Sequence, residues 1–404
     1  MFNKKTIENI DLKNKKVLVR VDYNVPLDSD LNVTDNSRIR LSIPTINYLL
    51  GKNAKVILMS HLGRPKGEVV EKYRLTPAAK ELEKLIGKPV KKFDEIVSAD
   101  IKDYIDNKMK NGEIVMLENV RFNAGETKNN LDFAKELASL ADVYVDDAFG
   151  ASHRAHSSTA GVAQFLPAVA GLLLKREVEV LTSILEEPEK PFLAILGGAK
   201  VADKIMVIQN FLSKVDSIII GGGMSYTFLK SKGYEIGKSI HAEDPAEYEN
   251  QIKFAGESMK IAADNKIDFI IPVDVVVGRM EADGSIKDKK TVSADSIPAD
   301  SEGFDMGEKT LALYEAEIAK AKTIFWNGPV GFFENKEFEN GTRRVAAAIA
   351  NSKAKTVAGG GDTLAALKKF GLTDKFFHVS SGGGASMELL EGKELPGVTV
   401  LLNK

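Results

Sequence analysis

Short apolar runs alternate with stretches of helical spacing along the whole chain. Lys16 to Val21 (KVLVRV), Lys55 to Met59, Ile114 to Leu117 and Val143 to Val145 are continuous apolar runs, not alternating ones. Such runs read as strands of a parallel sheet covered on both faces. Ser37 to Leu50 carries Ile39, Ile43, Ile46 and Leu49 at helical spacing, with Gly51 as its expected cap. Pro44 is expected to kink or interrupt that helix. Thr76 as N-cap, Pro77 at the first helical position and Gly87 after Ile86 frame another. The second half repeats the alternation. Its strands are Leu193 to Leu196, Ile218 to Ile220, Phe269 to Ile271, Thr323 to Trp326, Thr356 to Ala358 and Phe377 to Val379. Asp244-Pro245-Ala246-Glu247 opens a capped helix. The pattern predicts an α/β protein whose sheets are parallel in both halves.

Between the halves lies GLLLKREVEVLTSILEEPEKP, residues 171–191. Leu173, Leu174, Val178, Leu181 and Leu185 follow a 3.6 period, and Pro188 and Pro191 stop it. Strand ends before this helix carry Arg and His, and those after it carry Gly. It therefore reads as a connection between an anion-binding half and a nucleotide-binding half.

Composition narrows the classes. A chain of 404 residues, 44% hydrophobic and 28% charged, suits two soluble domains. Its net charge of −2 gives no reason to expect nucleic acid. The absence of cysteine removes disulfides, thiolate metal sites and cysteine nucleophiles. The opening MFNKKTIENIDLKNKK lacks the apolar core of a signal peptide, and no run reaches the roughly 18 apolar residues of a membrane span. A cytoplasmic location with no membrane partner is the expectation.

In parallel sheets, ligands sit at the carboxyl ends of strands. In the first half those ends carry Arg20, Asp22, Asn24, His61, Arg64, Arg121, His153, Arg154 and His156, and Arg38 begins the following helix. Guanidinium groups are fork-shaped donors for phosphate and carboxylate. So many donors with so few acids point to a small, multiply charged anion. The bland alternative, each Arg paired with a surface carboxylate, serves any single Arg but not the set. A histidine metal cluster is disfavoured by the surrounding cations.

In the second half, three strands end in Gly triplets and one in a pair, which lets backbone N–H groups approach phosphate. Neither the P-loop nor the dinucleotide fingerprint occurs. Lys200 and Lys204, four apart, are expected on one face at a helix start, where an anionic ligand would offset their clash with the dipole. Asp362 is either a helix cap or the carboxylate for a nucleotide-bound Mg²⁺. Glu334 is either solvent-exposed or an acceptor for a ribose hydroxyl. These features leave open another two-domain kinase for a small acid, a hinged anion-binding protein and a nucleotide-dependent dehydrogenase.

The motifs RVDYNVP (20–26), SHLGRP (60–65), LENVRF (117–122), DDAFGASHRAHSS (146–158), LGGAKVADKI (196–205), GGGMSYTFLK (221–230), WNGPVGFFE (326–334), GGGDT (359–363) and HVSSGGGASMELLEGKELPG (378–397) together resemble phosphoglycerate kinase, in order and at matching spacing. The resemblance implies two Rossmann-like three-layer domains, each with a mainly parallel sheet, joined by a helix and hinge. An N-terminal phosphoglycerate domain would take residues 1–170 plus 390–404, the connecting helix 171–186, and the nucleotide domain 187–389. It implies a monomeric glycolytic kinase that transfers a phosphoryl group reversibly between 1,3-bisphosphoglycerate and ADP, giving 3-phosphoglycerate and ATP, with Mg²⁺, in a cleft closed by hinge bending. Asp22, Tyr23, Asn24, Arg38, His61, Leu62, Gly63, Arg64, Arg121 and Arg154 would bind phosphoglycerate. Lys204, Gly222, Gly303, Glu334, Gly360, Gly361, Asp362 and Thr363 would contact the nucleotide, with Asp362 on the metal. Arg38, Lys200 and the amides of Gly382, Gly383 and Gly384 would stabilise the transferring group. Departures such as Tyr23 for Phe and Ser225 for Ala remove no charge and no required Gly.

Overall fold

A computed structural model describes residues 2–404. The chain divides into two compact units, one running to Val180 and regaining Lys393–Lys404, the other spanning Leu181–Gly392.

The first unit holds six strands: β1 (Lys16–Arg20), β2 (Lys55–Met59), β3 (Val90–Lys92), β4 (Ile114–Met116), β5 (Val143–Asp146) and β6 (Ala168–Ala170). All pair in parallel, in the order β3-β4-β2-β1-β5-β6. Val17, Leu18, Val19, Val56, Ile57 and Leu58 are all fully buried, so neither face of the central strands meets water. Helices α1 (Ser37–Gly51), α2 (Thr76–Ile86), α3 (Ala99–Asp103), α4 (Leu131–Ala138) and α5 (Leu172–Glu186) connect or follow them. Ile39, Ile46 and Leu49 of α1 and Ala78, Ala79 and Leu82 of α2 join Val17, Val19, Val56 and Leu58 in one apolar core. The terminal segment returns to this unit through Gly397 N–H to Ser152 O (2.8 Å) and Leu402 N–H to Ala168 O (3.0 Å).

Two local expectations need correction. Pro44 sits inside an unbroken α1; packing of the helix on the sheet compensates the single lost backbone bond. Thr76 is the first residue of α2 and caps nothing; Leu75 precedes it without a side-chain bond. The other end fits, since Gly87 is left-handed (φ +66°) and its N–H reaches Glu83 O.

The second unit has a parallel sheet ordered β15-β14-β13-β7-β8-β9. Its elements in sequence are β7 (Phe192–Leu196), α6 (Ile205–Phe211), β8 (Ser217–Ile220), α7 (Ser225–Ser231), α8 (Pro245–Asp264), β9 (Asp268–Ile270), β10 (Asp274–Met280), β11 (Ile286–Ser293), β12 (Glu302–Met306), α9 (Glu308–Lys320), β13 (Thr323–Asn327), α10 (Asn340–Asn351), β14 (Lys355–Gly359), α11 (Gly361–Lys369), β15 (His378–Val379) and α12 (Gly384–Leu390). The Asp244 carboxylate caps α8 by accepting from Glu247 N–H (2.8 Å). The sheet is parallel as expected, and β11-β10-β12 adds a separate antiparallel sheet. The stretch DVVVG that follows β9 opens β10. In both parallel sheets the strand order reverses, at β1/β5 and at β7/β13, which sets a crevice at those carboxyl ends.

The start of α5 rests on Asp147. One carboxylate oxygen accepts from Leu173 and Leu174 N–H (2.9 and 3.3 Å), while Oδ2 is buried with no partner. Burial pushes this carboxyl up to about 7. A carboxyl raised in the folded state supports folding fully below its unfolded value near 3.9, and that support is lost as pH rises through about 7. Asp147→Asn keeps the helix bonds and removes the titration. The variant is therefore expected to gain on wild type between pH 4 and pH 7, by on the order of 3–4 kcal/mol, with a flat difference above. Urea midpoints at pH 5 and pH 8 check this; an equal difference at both pH values contradicts it.

Candidate functional site

The first unit gathers its cations where the sheet order reverses. Arg20 ends β1 with its partners Met59 and Asp146 ending β2 and β5, so the loops after three strands meet there. Arg20 is fully buried. Its Nε donates to Ser158 Oγ (2.9 Å), and one terminal nitrogen donates to His61 Nδ1 (2.9 Å). Arg has no acceptor, so His61 Nδ1 must carry the lone pair, which leaves the ring proton on Nε2. Burial, then the charges of Arg20, Arg121 and Arg38, hold His61 well below its ordinary pKa. It is a neutral donor. Ser158 passes the contact on, donating through Oγ and N–H to the buried Glu126 carboxylate (2.6 and 3.0 Å).

Around this frame the positive charge is left uncompensated. Arg121 Nη1 donates to Gly63 O (2.8 Å), but its Nε is buried without a partner. Burial first and Arg20 second lower Arg121 to about 10. Burial, Arg121, Arg20 and Arg154 bring His156 down to about 4. Arg154 is exposed and donates to His153 Nε2 (3.0 Å), and Arg64 is exposed. Arg38 pairs with Asp22 (2.7 Å). Asn24 Oδ1 accepts from Gly63 N–H (2.9 Å), shaping the loop that carries His61, Leu62 and Gly63. Among the described residues Arg64, Arg121 and Arg154 form no ion pair with a carboxylate. Cations crowded against each other with few acids are stabilised by an anionic ligand.

Two expected contacts point elsewhere. Tyr23 is fully buried and its hydroxyl shares a bond with Ser42 (2.7 Å), so its ring belongs to the core. Leu62 is buried too, and its carbonyl accepts from Asn119 (2.8 Å). Sequence reading also missed Glu126 and Ser158, which order Arg20; a buried acid in a loop carries no periodic signal.

In the second unit the Gly-rich loops converge on a cavity of about 370 Å³ lined by Gly222, Tyr226, Ile240, Gly303, Phe332 and Glu334, with Asp362 also on its wall. Several glycines serve loop packing. A Cβ at Gly197 would lie 2.2 Å from Pro329 O, and one at Gly222 (φ +66°) 2.7 Å from the same oxygen. Gly198 and Gly222 N–H groups bond Pro329 and Val330 carbonyls (both 2.9 Å), locking the loops after β7, β8 and β13 together. By contrast, Gly361 has open space around it at the start of α11.

The paired-lysine expectation does not hold. Lys200 lies in the loop before a 3-10 turn at Ala202–Lys204, and α6 begins only at Ile205. Lys200 is exposed, whereas Lys204 is half-buried and donates to Asn327 Oδ1. Burial depresses the Lys204 ammonium to about 8, against the pull of Asp203 and Asp362. Thr363 is buried, and its hydroxyl oxygen accepts from Gly328 N–H (2.7 Å), so its side chain holds a loop. Gly382 N–H bonds Ser380 Oγ (3.2 Å), which leaves the amides of Gly383 and Gly384 at the start of α12.

Asp362 is not a cap. Gly360 precedes α11, no side chain caps it, and Asp362 stands exposed in the first turn. Among the described residues no three His, Asp or Glu side chains converge as a metal cage. One exposed carboxylate on the wall of this cavity suits Mg²⁺, which takes one or two carboxylates and completes its shell from phosphate and water.

The family model described as phosphoglycerate kinase matches residues 7–393. A phosphoglycerate kinase of Dictyoglomus turgidum is 54% identical over 408 residues, covering 99% of this chain and all of that one. Among solved structures, phosphoglycerate kinase from Coxiella burnetii aligns with a TM-score of 0.87 at 41% identity, and that from Pyrococcus horikoshii OT3 with 0.82 at 31%. Each alignment covers 98% of both chains.

Proposed function

Because the chain belongs to the phosphoglycerate kinase family and is a glycolytic phosphotransferase, we propose a division of labour between its units. The cation cluster takes 3-phosphoglycerate or 1,3-bisphosphoglycerate, and the 370 Å³ cavity takes ADP or ATP. The observation that carries the reading is the uncompensated charge of Arg121 and Arg154 beside the neutral imidazoles of His61 and His156, which suits a small anion with several charges.

In the ATP-consuming direction the nucleophile is a carboxylate, already ionised at neutral pH, so no general base is required. The chain's task is then to position the reactants and to stabilise charge. Neutral His61 donates through Nε2, Arg121 and Arg154 hold the phosphate end, and Arg64 adds an exposed cation. On this reading Arg38, Lys200 and the amides of Gly383 and Gly384 stabilise the transferring group. Lys204 gains an anionic partner when phosphate arrives. Asp362 would hold a nucleotide-bound Mg²⁺, which would supply neutralisation of phosphate charge. Hinge bending near α5 brings the two substrates together and excludes water. We place the enzyme in the cytoplasm as a monomer. Among the described residues, no helix is long and apolar enough to cross a membrane.

The test is a coupled assay with 3-phosphoglycerate, ATP and Mg²⁺, following acyl-phosphate formation. Product that requires all three is expected. Tight binding of phosphorylated anions with no product would favour the hinged binding protein instead. Small-angle scattering supplies the check on closure: compaction only when both substrates are present is expected, and none would remove the hinge.

A further inference from the structure

We infer that Asn119 is a positioning residue for the anion site: its carboxamide fixes the turn that carries Arg121 against the loop of His61, Leu62 and Gly63. The inference rests on the reading that this site takes the phosphoglycerate. Asn119 stands between β4 and the 3-10 turn Val120–Phe122. It is fully buried, so it acts through its neighbours and not on the ligand.

Both ends of the carboxamide are used. Nδ2 donates to Leu62 O (2.8 Å) and Tyr73 O (2.9 Å), and Oδ1 accepts from Arg121 N–H (3.0 Å). A carbonyl only accepts and a peptide N–H only donates, so the amide has one possible orientation. Three segments far apart in sequence thereby meet on one rigid group. The backbone of Asn119 is pinned in turn. Its N–H donates to Glu118 Oε1 (2.8 Å), which also accepts from Leu75 N–H (3.0 Å), while Glu118 Oε2 accepts from Arg74 (3.0 Å) and Lys92.

The arrangement closes on itself. Leu62 O goes to Asn119, and the next carbonyl, Gly63 O, accepts from Arg121 Nη1 (2.8 Å). Tyr73, whose carbonyl Asn119 holds, presses its ring on Gly63 (φ +65°), where a Cβ would lie 2.4 Å from the ring. Arg121 is therefore held at its backbone and at its guanidinium before any ligand arrives. A long side chain fixed in advance loses less entropy on binding. Without the bridge, the turn and the loop can part, and binding must bring them back together.

Asn119→Ala removes the whole bridge. Asn119→Ser keeps a hydroxyl that can cap Arg121 N–H but cannot span to both carbonyls, and it is the milder change for folding. Steady-state kinetics of the full chain are expected to show the KM for 3-phosphoglycerate raised about tenfold in both, the scale of one or two hydrogen bonds. Arg121 holds the end of the substrate that does not react, so ground state and transition state weaken alike. The kcat and the KM for ATP should therefore stay within about twofold of wild type, and calorimetric titration should give an unchanged Kd for ADP. An unchanged KM for 3-phosphoglycerate overturns the inference, whatever happens to the melting temperature. A fall in kcat alone, or loss of affinity for ADP as well, overturns it in favour of a purely structural role. Wild type that binds ADP but not 3-phosphoglycerate overturns the reading of the anion site and the inference together.

Discussion

Replacing Arg38 by alanine is expected to lower kcat by about 10²–10³, the usual cost of deleting one donor aimed at developing charge. Arg38 stands in the first turn of α1, and its guanidinium holds Asp22 at 2.7 Å with 36% of its side chain exposed. Asp22 is only 10% exposed, so deleting Arg38 leaves a largely buried carboxylate unpaired and costs some stability; a thermal melt separates that cost from the loss in turnover. The KM for 3-phosphoglycerate should move much less, because Arg121, Arg154 and His61 remain. Arg38→Lys should recover only part of the rate, since an ammonium cannot reproduce the planar fork. Steady-state kinetics on both variants decide the matter. Near-wild-type turnover in Arg38→Ala would remove Arg38 from the reacting centre.

The alternation of apolar runs with helical spacing made both parallel sheets legible, because strands buried on both faces leave unbroken hydrophobic stretches. What escaped were elements without that signature. β3 and β6 are three-residue edge strands, VKK and AVA. β11 reads IKDKKTVS, an exposed strand whose lysines hide its pairing with β10. Charge type alone picked out Arg and His at the strand ends, and the structure gathers Arg20, His61, Arg121 and His156 there. Side-chain direction was not legible. The side chains of Tyr23 and Thr363 turn inward to Ser42 and Gly328. Lys200 and Lys204 are four apart in sequence, yet only a continuous helix converts that spacing into a shared face, and the chain makes a 3-10 turn there. Contacts of long sequence separation were beyond reach. Nothing local reveals that Ser158 links Arg20, 138 residues away, to Glu126, 32 residues away.

Asp362→Ala is expected to reduce kcat/KM for ATP in Mg²⁺ by roughly two orders of magnitude or more, since a positioned metal supplies several kcal/mol of charge stabilisation. Two roles compete for this carboxylate, and they predict different sizes and different readouts. A carboxylate in the first turn of α11 also interacts with the helix dipole, worth about 0.3–1 kcal/mol. If that were its whole role, the variant would lose a little thermal stability and keep its rate. The missing side-chain cap at Gly360 and the exposure of Asp362 favour the catalytic role. So does its effect on Lys204, whose ammonium it helps to hold against burial. Raising Mg²⁺ separates the two. A metal role predicts that the variant needs a much higher Mg²⁺ concentration for half-maximal activity, and that Asp362→Asn lies between wild type and Asp362→Ala. A structural role predicts one Mg²⁺ dependence for all three proteins, and that outcome would leave the metal to be held by nucleotide phosphates alone.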